Sequence, residues 1–230
     1  VDPGSGVGGN DPVAVAIAVQ SAPSIVDLYQ QFNVVLSAVD AQGSIVTNYN
    51  APVQVNVSGP GAIQGNTTIL FQNGVATFTG LQLSSAGSQS LEFVSGGIVG
   101  SSNILVRNPI PILSSVTPDT LPDSVQIDTP LTIYGQNFLP ETVVRFGSTD
   151  LATTYVSSAE LSAVLPQSLV AEGLFPIIAR NPAPGGGISN FLRFSVTDGT
   201  PPQIRGVDYS IAGNNVTVTW FTTEPSISEI

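Results

Sequence analysis

The chain has 230 residues, room for about two domains of roughly 100–200 residues each. Hydrophobic residues make up 42%, enough for packed cores, while five Arg face sixteen Asp and Glu, a net charge of −11 that excludes phosphate backbones and anionic lipid as electrostatic partners. Lys, His and Cys are all missing, which removes disulfides, thiolate metal sites, Schiff-base chemistry, Lys–Asn cross-links and the usual general base near neutral pH.

Residues 1–12 are Gly-rich and are expected to form a flexible lead. No apolar run approaches the roughly 20 residues of a membrane span. The opening does not read as a signal peptide, so a processed product or an excised piece of a longer chain is expected.

From Val13 to Val106 the pattern is one of short strands. Phe32, Val34, Leu36 and Ala38 alternate across 32–39, and Val53, Val55 and Val57 alternate with Gln54 and Asn56. Such period-two runs describe half-buried strands. Asn73-Gly74 separates Ile69–Gln72 from Val75–Phe78, and that dipeptide predicts a type I′ hairpin because both central residues must take positive φ. Leu81/Leu83, Leu91/Phe93 and Ile104/Val106 mark later strands, and no stretch has helical period. The ordered set Asp40-Ala-Gln-Gly-Ser-Ile-Val-Thr-Asn-Tyr (40–49), Val53-Gln-Val-Asn-Val-Ser (53–58), Asn73-Gly-Val-Ala-Thr-Phe-Thr-Gly-Leu (73–81) and Ala86-Gly-Ser-Gln-Ser-Leu (86–91) resembles a bacterial Ig-like repeat of invasin-like surface proteins. The resemblance implies a β-sandwich over 13–107.

Arg107-Asn-Pro-Ile-Pro (107–111) is a short join without a Gly/Ser tract. Proline fixes φ and lacks an N–H, so a stiff connection is expected. Beyond it come Pro-Ile-Pro-Ile-Leu-Ser-Ser-Val-Thr-Pro (109–118), Leu-Thr-Ile-Tyr-Gly-Gln-Asn-Phe (131–138), Val-Val-Arg-Phe-Gly (143–147), Glu-Leu-Ser-Ala-Val-Leu-Pro (160–166), Phe-Pro-Ile-Ile-Ala-Arg-Asn-Pro (175–182) and Ser-Asn-Phe-Leu-Arg-Phe-Ser-Val-Thr (189–197). In that order they closely resemble a TIG (IPT) domain at about 109–197, an immunoglobulin-like β-sandwich. Gly185-Gly186-Gly187 has no Lys and no helix after it, which makes it a loop tip rather than a phosphate loop. In TIG domains a Gly-rich turn sits at this place, and Asn181-Pro182 before it fits.

Asp198-Gly-Thr-Pro-Pro (198–202) opens a last segment, 198–230. Gln203-Ile-Arg-Gly-Val (203–207), Asn214-Asn-Val-Thr-Val-Thr-Trp (214–220) and Thr222-Thr-Glu-Pro (222–225) resemble the start of a fibronectin type III domain. A full domain of this kind needs about 90–100 residues, so the segment reads as an incomplete one.

Candidate sites are few. Asp119, Asp123, Asp128 and, at the second join, Asp198 are the candidate calcium ligands, since calcium takes six to eight oxygens. Their spacing is not that of a dedicated calcium loop, and Asp also caps turns. No cofactor is otherwise expected. Nothing pairs carboxylates for glycoside chemistry. Trp220, Phe191 and Phe194 fall in strand patterns that predict core, while Tyr29, Tyr49 and Tyr155 near turns are the candidates for exposed aromatic platforms, thin support for carbohydrate binding. Three sequons, at Asn56, Asn66 and Asn215, are what chance gives in a chain so rich in Ser, Thr and Asn.

The reading is all-β: tandem immunoglobulin-like β-sandwiches and a short C-terminal strand segment. The expected function is a non-catalytic stalk, spacer or adhesion module, extracellular or on a bacterial or archaeal surface. Its expected partners are modules of the same parent or further copies through sheet edges. Two alternatives stand beside it. One is a filament subunit joined by strand addition through 203–225 or Val13–Val19. The other is an accessory region of a secreted hydrolase whose catalytic domain lies beyond Ile230.

Overall fold

The computed structural model describes residues 12–223. Strands come in chain order because apolar residues alternate along each run. They are β1 Ala16–Ser21, β2 Ile25–Asp27, β3 Phe32–Val39, β4 Pro52–Ser58, β5 Ile63–Gln64, β6 Thr68–Leu70, β7 Val75–Leu83, β8 Gly87–Ser95 and β9 Ile98–Arg107. Two sheets result, ordered β1-β3-β7-β5 and β2-β9-β8-β4-β6. Their inward residues meet in one core, where Leu36 and Phe78 of the first sheet join Val53, Leu91, Phe93 and Val106 of the second.

The second sandwich repeats the plan. Its strands are β10 Ile112–Thr117, β11 Thr120–Pro122, β12 Thr129–Gln136, β13 Val143–Phe146, β14 Thr149–Asp150, β15 Ala152–Ser157, β16 Glu160–Leu165, β17 Gly173–Asn181, β18 Gly187–Ile188 and β19 Leu192–Thr197. The sheets run β10-β12-β16-β15 and β11-β19-β17-β13-β14, with β18 added beside β17. Leu131, Ile133, Leu161, Ile177 and Phe194 fill a separate core. Phe146 stacks on Phe175 at 4.8 Å and meets Phe194 edge-on at 5.5 Å, geometries that a ring quadrupole favours.

In both sandwiches the leading edge strand changes sheets. β1 pairs antiparallel with β3, whereas β2 pairs parallel with β9. Likewise β10 pairs antiparallel with β12, and β11 parallel with β19. Pro23 and Pro118 sit at the two crossings, where a residue without an N–H ends one ladder and lets the next begin. β1, which takes in Ala16–Val19 of the segment expected for strand addition, pairs within its own sheet.

The Asn73-Gly74 turn forms with φ of 52° and 75°, as its composition requires. The expected ladder around it does not. Only Gln72 and Val75 bridge; β6 belongs with β4 and β7 with β3. The turn is a corner between sheets, because Phe71 enters the core while Leu70 stays exposed.

Residues 204–222 form a two-stranded hairpin, β20 Ile204–Ala212 and β21 Asn215–Thr222, with no further strand paired to it among the described residues. Among the described residues no helix is long and apolar enough to cross a membrane.

Candidate functional site: the joint between the sandwiches

A set of polar contacts surrounds residues 107–111. β9 ends at Arg107, whose Nε and Nη2 donate to Asp27 Oδ1 at 3.1 and 2.9 Å, and whose carbonyl accepts from Leu28 N at 2.8 Å. Arg107 therefore belongs to the first sandwich on both counts.

Asn108 belongs to the second. Its N–H donates to Pro184 O at 2.7 Å, its carbonyl accepts from Gly186 N at 2.7 Å, and its Nδ2 donates to Pro182 O at 3.0 Å. Backbone and side chain together plug Asn108 into the 182–186 turn. Gly185 explains why the turn is Gly-rich: at φ 70°, an added Cβ would fall 2.6 Å from Arg107 Cβ and 2.7 Å from Asn108 O. Only a residue without a side chain lets the connecting chain approach so closely.

The next two carbonyls are held by asparagine side chains. Asn181, buried at the end of β17, donates from Nδ2 to Pro109 O at 2.8 Å and to Asn137 O at 2.7 Å, and its Oδ1 accepts from Thr142 Oγ1 at 2.6 Å. Asn137, at φ 64°, donates from Nδ2 to Ile110 O at 3.0 Å. Asn108, Pro109 and Ile110 are thus each tied to the second sandwich. Beside them lies a cleft of about 560 Å³ lined by residues of both sandwiches, Asp27, Arg107, Asn137 and Gly185 among them.

Each such bond contributes roughly 1 kcal/mol net toward holding residues 108–110 on the second sandwich. Sequence reading expected a stiff join from its prolines and placed the Gly-rich turn as a loop tip. It missed that one docks into the other, because the asparagines involved bond residues 27 to 74 positions away.

Three of the four calcium candidates each accept one backbone N–H. Asp123 Oδ1 accepts from Gly199 N, Asp128 Oδ1 from Gln167 N and Asp198 Oδ1 from Thr200 N, each at 2.9 Å. Asp119 offers its backbone carbonyl to Ser195 N at 3.0 Å. Among the described residues no three acids gather as a metal-holding group.

Aromatics divide differently from expectation. Phe194 is core, but Phe191, one residue before β19, is 58% exposed; the strand period begins only at Leu192. Tyr49 is no platform: its hydroxyl bonds Ser95 Oγ at 2.8 Å and its ring meets Phe71 edge-on at 5.3 Å. Tyr29 and Tyr155 are exposed, while Trp220 is half-buried on the C-terminal hairpin.

One exposed ionic group is perturbed. Arg145 Nε donates to Asp150 Oδ1 at 2.6 Å, and Arg180 Nη2 approaches Oδ2 at 3.5 Å. The Arg145 hydrogen bond holds the Asp150 carboxyl below its ordinary value.

Residues 111–196 match the family model of the IPT/TIG domain. No curated protein matches the chain. Among solved structures, the Yersinia pseudotuberculosis adhesin InvE is similar at 12% identity and TM-score 0.49, over 88% of this chain and 69% of that one. Invasin, described as a bacterial integrin-binding protein, is similar at 14% and 0.47, over 83% of this chain and 40% of that one. Domains 5–6 of the S-layer protein SbsC are similar at 14% and 0.34, over 82% of this chain and all of that one.

Proposed function

We propose that this chain, with its IPT/TIG domain at residues 111–196, is a non-catalytic extracellular module that works as a stiff spacer or adhesive segment of a surface or secreted protein. The observation that carries the reading is the joint. Asn108, Asn137 and Asn181 fix the connecting chain against the second sandwich, and Arg107 with Asp27 fixes it to the first. A catalytic domain has no need of such a device, whereas a spacer does, since angle and length are its output. The absence of His, Lys and Cys from the sequence points the same way. We assign 13–107 to a bacterial Ig-like domain, 108–197 to the TIG-like domain and 198–230 to the start of a fibronectin type III-like segment.

The test exploits the missing cysteines. Cysteines placed at exposed Gln42 and Ser158 carry spin labels, and dipolar spectroscopy reads the distance distribution between the sandwiches. A single narrow peak is expected, broadening in Asn108→Ala. A broad distribution in the parent chain sinks the spacer reading.

A second reading, a filament subunit joined through the C-terminal hairpin, is favoured by one observation. Val207, Tyr209, Ile211, Val216 and Val218 are all exposed, and the register sets Tyr209 opposite Val218 and Ile211 opposite Val216. These pairs make one apolar face. Electron microscopy of the chain with and without 203–230 decides: polymers must vanish with the segment.

A further inference from the structure

Three of the five arginines share one surface. Along β17 the residues pointing away from the core are Leu174, Pro176, Ile178 and Arg180. Arg145 lies opposite Ile178, and Arg193 opposite Pro176. Directly opposed residues of an antiparallel pair project to the same side, so Arg145, Arg180 and Arg193 all stand on the outer face of this sheet. Asp150 pairs with the first two, while Arg193 has no carboxylate within ion-pairing distance among the described residues. Beside Arg193 lies an open depression of about 300 Å³ lined by Leu174, Phe175, Pro176 and Phe191, with Leu174 68% exposed.

Elsewhere the balance is reversed. Among the described residues there are two further arginines, Arg107 and Arg205, against twelve acids, of which only Asp150 pairs with an arginine of this face. The Arg193 face offers a second, acidic copy complementary charge together with exposed apolar area.

We infer that the outer face of β13, β17 and β19 docks a second copy of this chain through the acidic surface of that copy. The contact is heterologous, face against a different surface, and so can repeat along an array. Three strands about 4.8 Å apart and about 20 Å of β17 give roughly 300 Å², well below the about 800 Å² per partner of a standard interface. A single contact is therefore weak and acts through repetition at high local concentration. The inference goes beyond the spacer reading and does not depend on it: a strict monomer overturns the docking face and leaves the rod intact.

Light scattering of the full chain up to about 100 µM tests it, between about 20 mM and 300 mM salt, a range over which screening becomes strong. Mass should rise with concentration at low salt and return to monomer at high salt. Arg193→Glu should be monomeric throughout with unchanged thermal unfolding, because Arg193 is exposed. Gln42→Glu with Ser44→Glu adds the same two negative charges to an exposed turn of the first sandwich and should associate as the parent does. A monomeric parent at low salt overturns the inference, as does association that survives Arg193→Glu. So does a monomer retained on immobilised polyuronate and released by Arg193→Glu, which makes an anionic polymer the occupant instead.

Discussion

At the residue scale, asparagine does in this chain what buried charge does in others. Asn181 satisfies two carbonyls and a hydroxyl while 2% exposed. Replacing it by Leu keeps volume but strands those groups, and each buried unsatisfied polar group costs about 1–3 kcal/mol. Asn181→Leu is therefore expected to lose about 3 kcal/mol in denaturant unfolding, a surface-like loss below about 0.5 kcal/mol being the contrary result. Asp150 provides a pH test. Its folded carboxyl titrates lower than the unfolded one, so its contribution is present above the unfolded value and disappears as pH falls through the folded one. The pair is exposed and the effect on stability is small; the direct reading is an NMR titration, in which Arg145→Gln raises the Asp150 midpoint. Phe191 shows where single residues mislead. Aromatic identity and a neighbouring strand pattern predict core, but Phe191 lies just before the first residue of β19, so where the ladder starts decides its exposure.

At the element scale, period-two alternation located β3, β4, β7, β8 and β9 well, because each buries one face and a one-residue slip would expose it. Partnership was less legible. The residues flanking Asn73-Gly74 read as a hairpin ladder, yet β6 and β7 lie in different sheets. The turn itself is sharply determined. A Cβ on Gly74 would fall 2.5 Å from Val46 O and 2.8 Å from Ile45 Cγ2, at φ 75°. Gly74→Ala is expected to destabilise the first sandwich by about 1–3 kcal/mol, read as an earlier urea midpoint, whereas Gly43→Ala, with open space around it, tests the φ cost alone at about 1 kcal/mol. The C-terminal hairpin is the opposite case. Its alternation is clear in sequence, but two strands bury too little to be stable alone.

At the scale of the whole molecule, two cores that share no residues predict two separable unfolding events. Phe93→Ala and Phe194→Ala each remove a fully buried ring and should each cost about 3–5 kcal/mol. In calorimetry Phe93→Ala should shift one transition and Phe194→Ala the other, and a single transition displaced by both contradicts the separation. What the sequence determined by itself is the all-β class, the positions of most strands, the short join and the exclusion of cysteine, histidine and lysine chemistry. These follow from local periodicity and composition, which need no knowledge of distant partners. Tertiary structure alone decided that Asn108 plugs the 182–186 turn, that Asn137 and Asn181 hold the connecting chain, and that Arg145, Arg180 and Arg193 gather on one face. The reason is physical. Each of these arrangements depends on which strands lie side by side, and residues up to 74 positions apart are brought together by sheet register and core closure rather than by any pattern that runs along the chain.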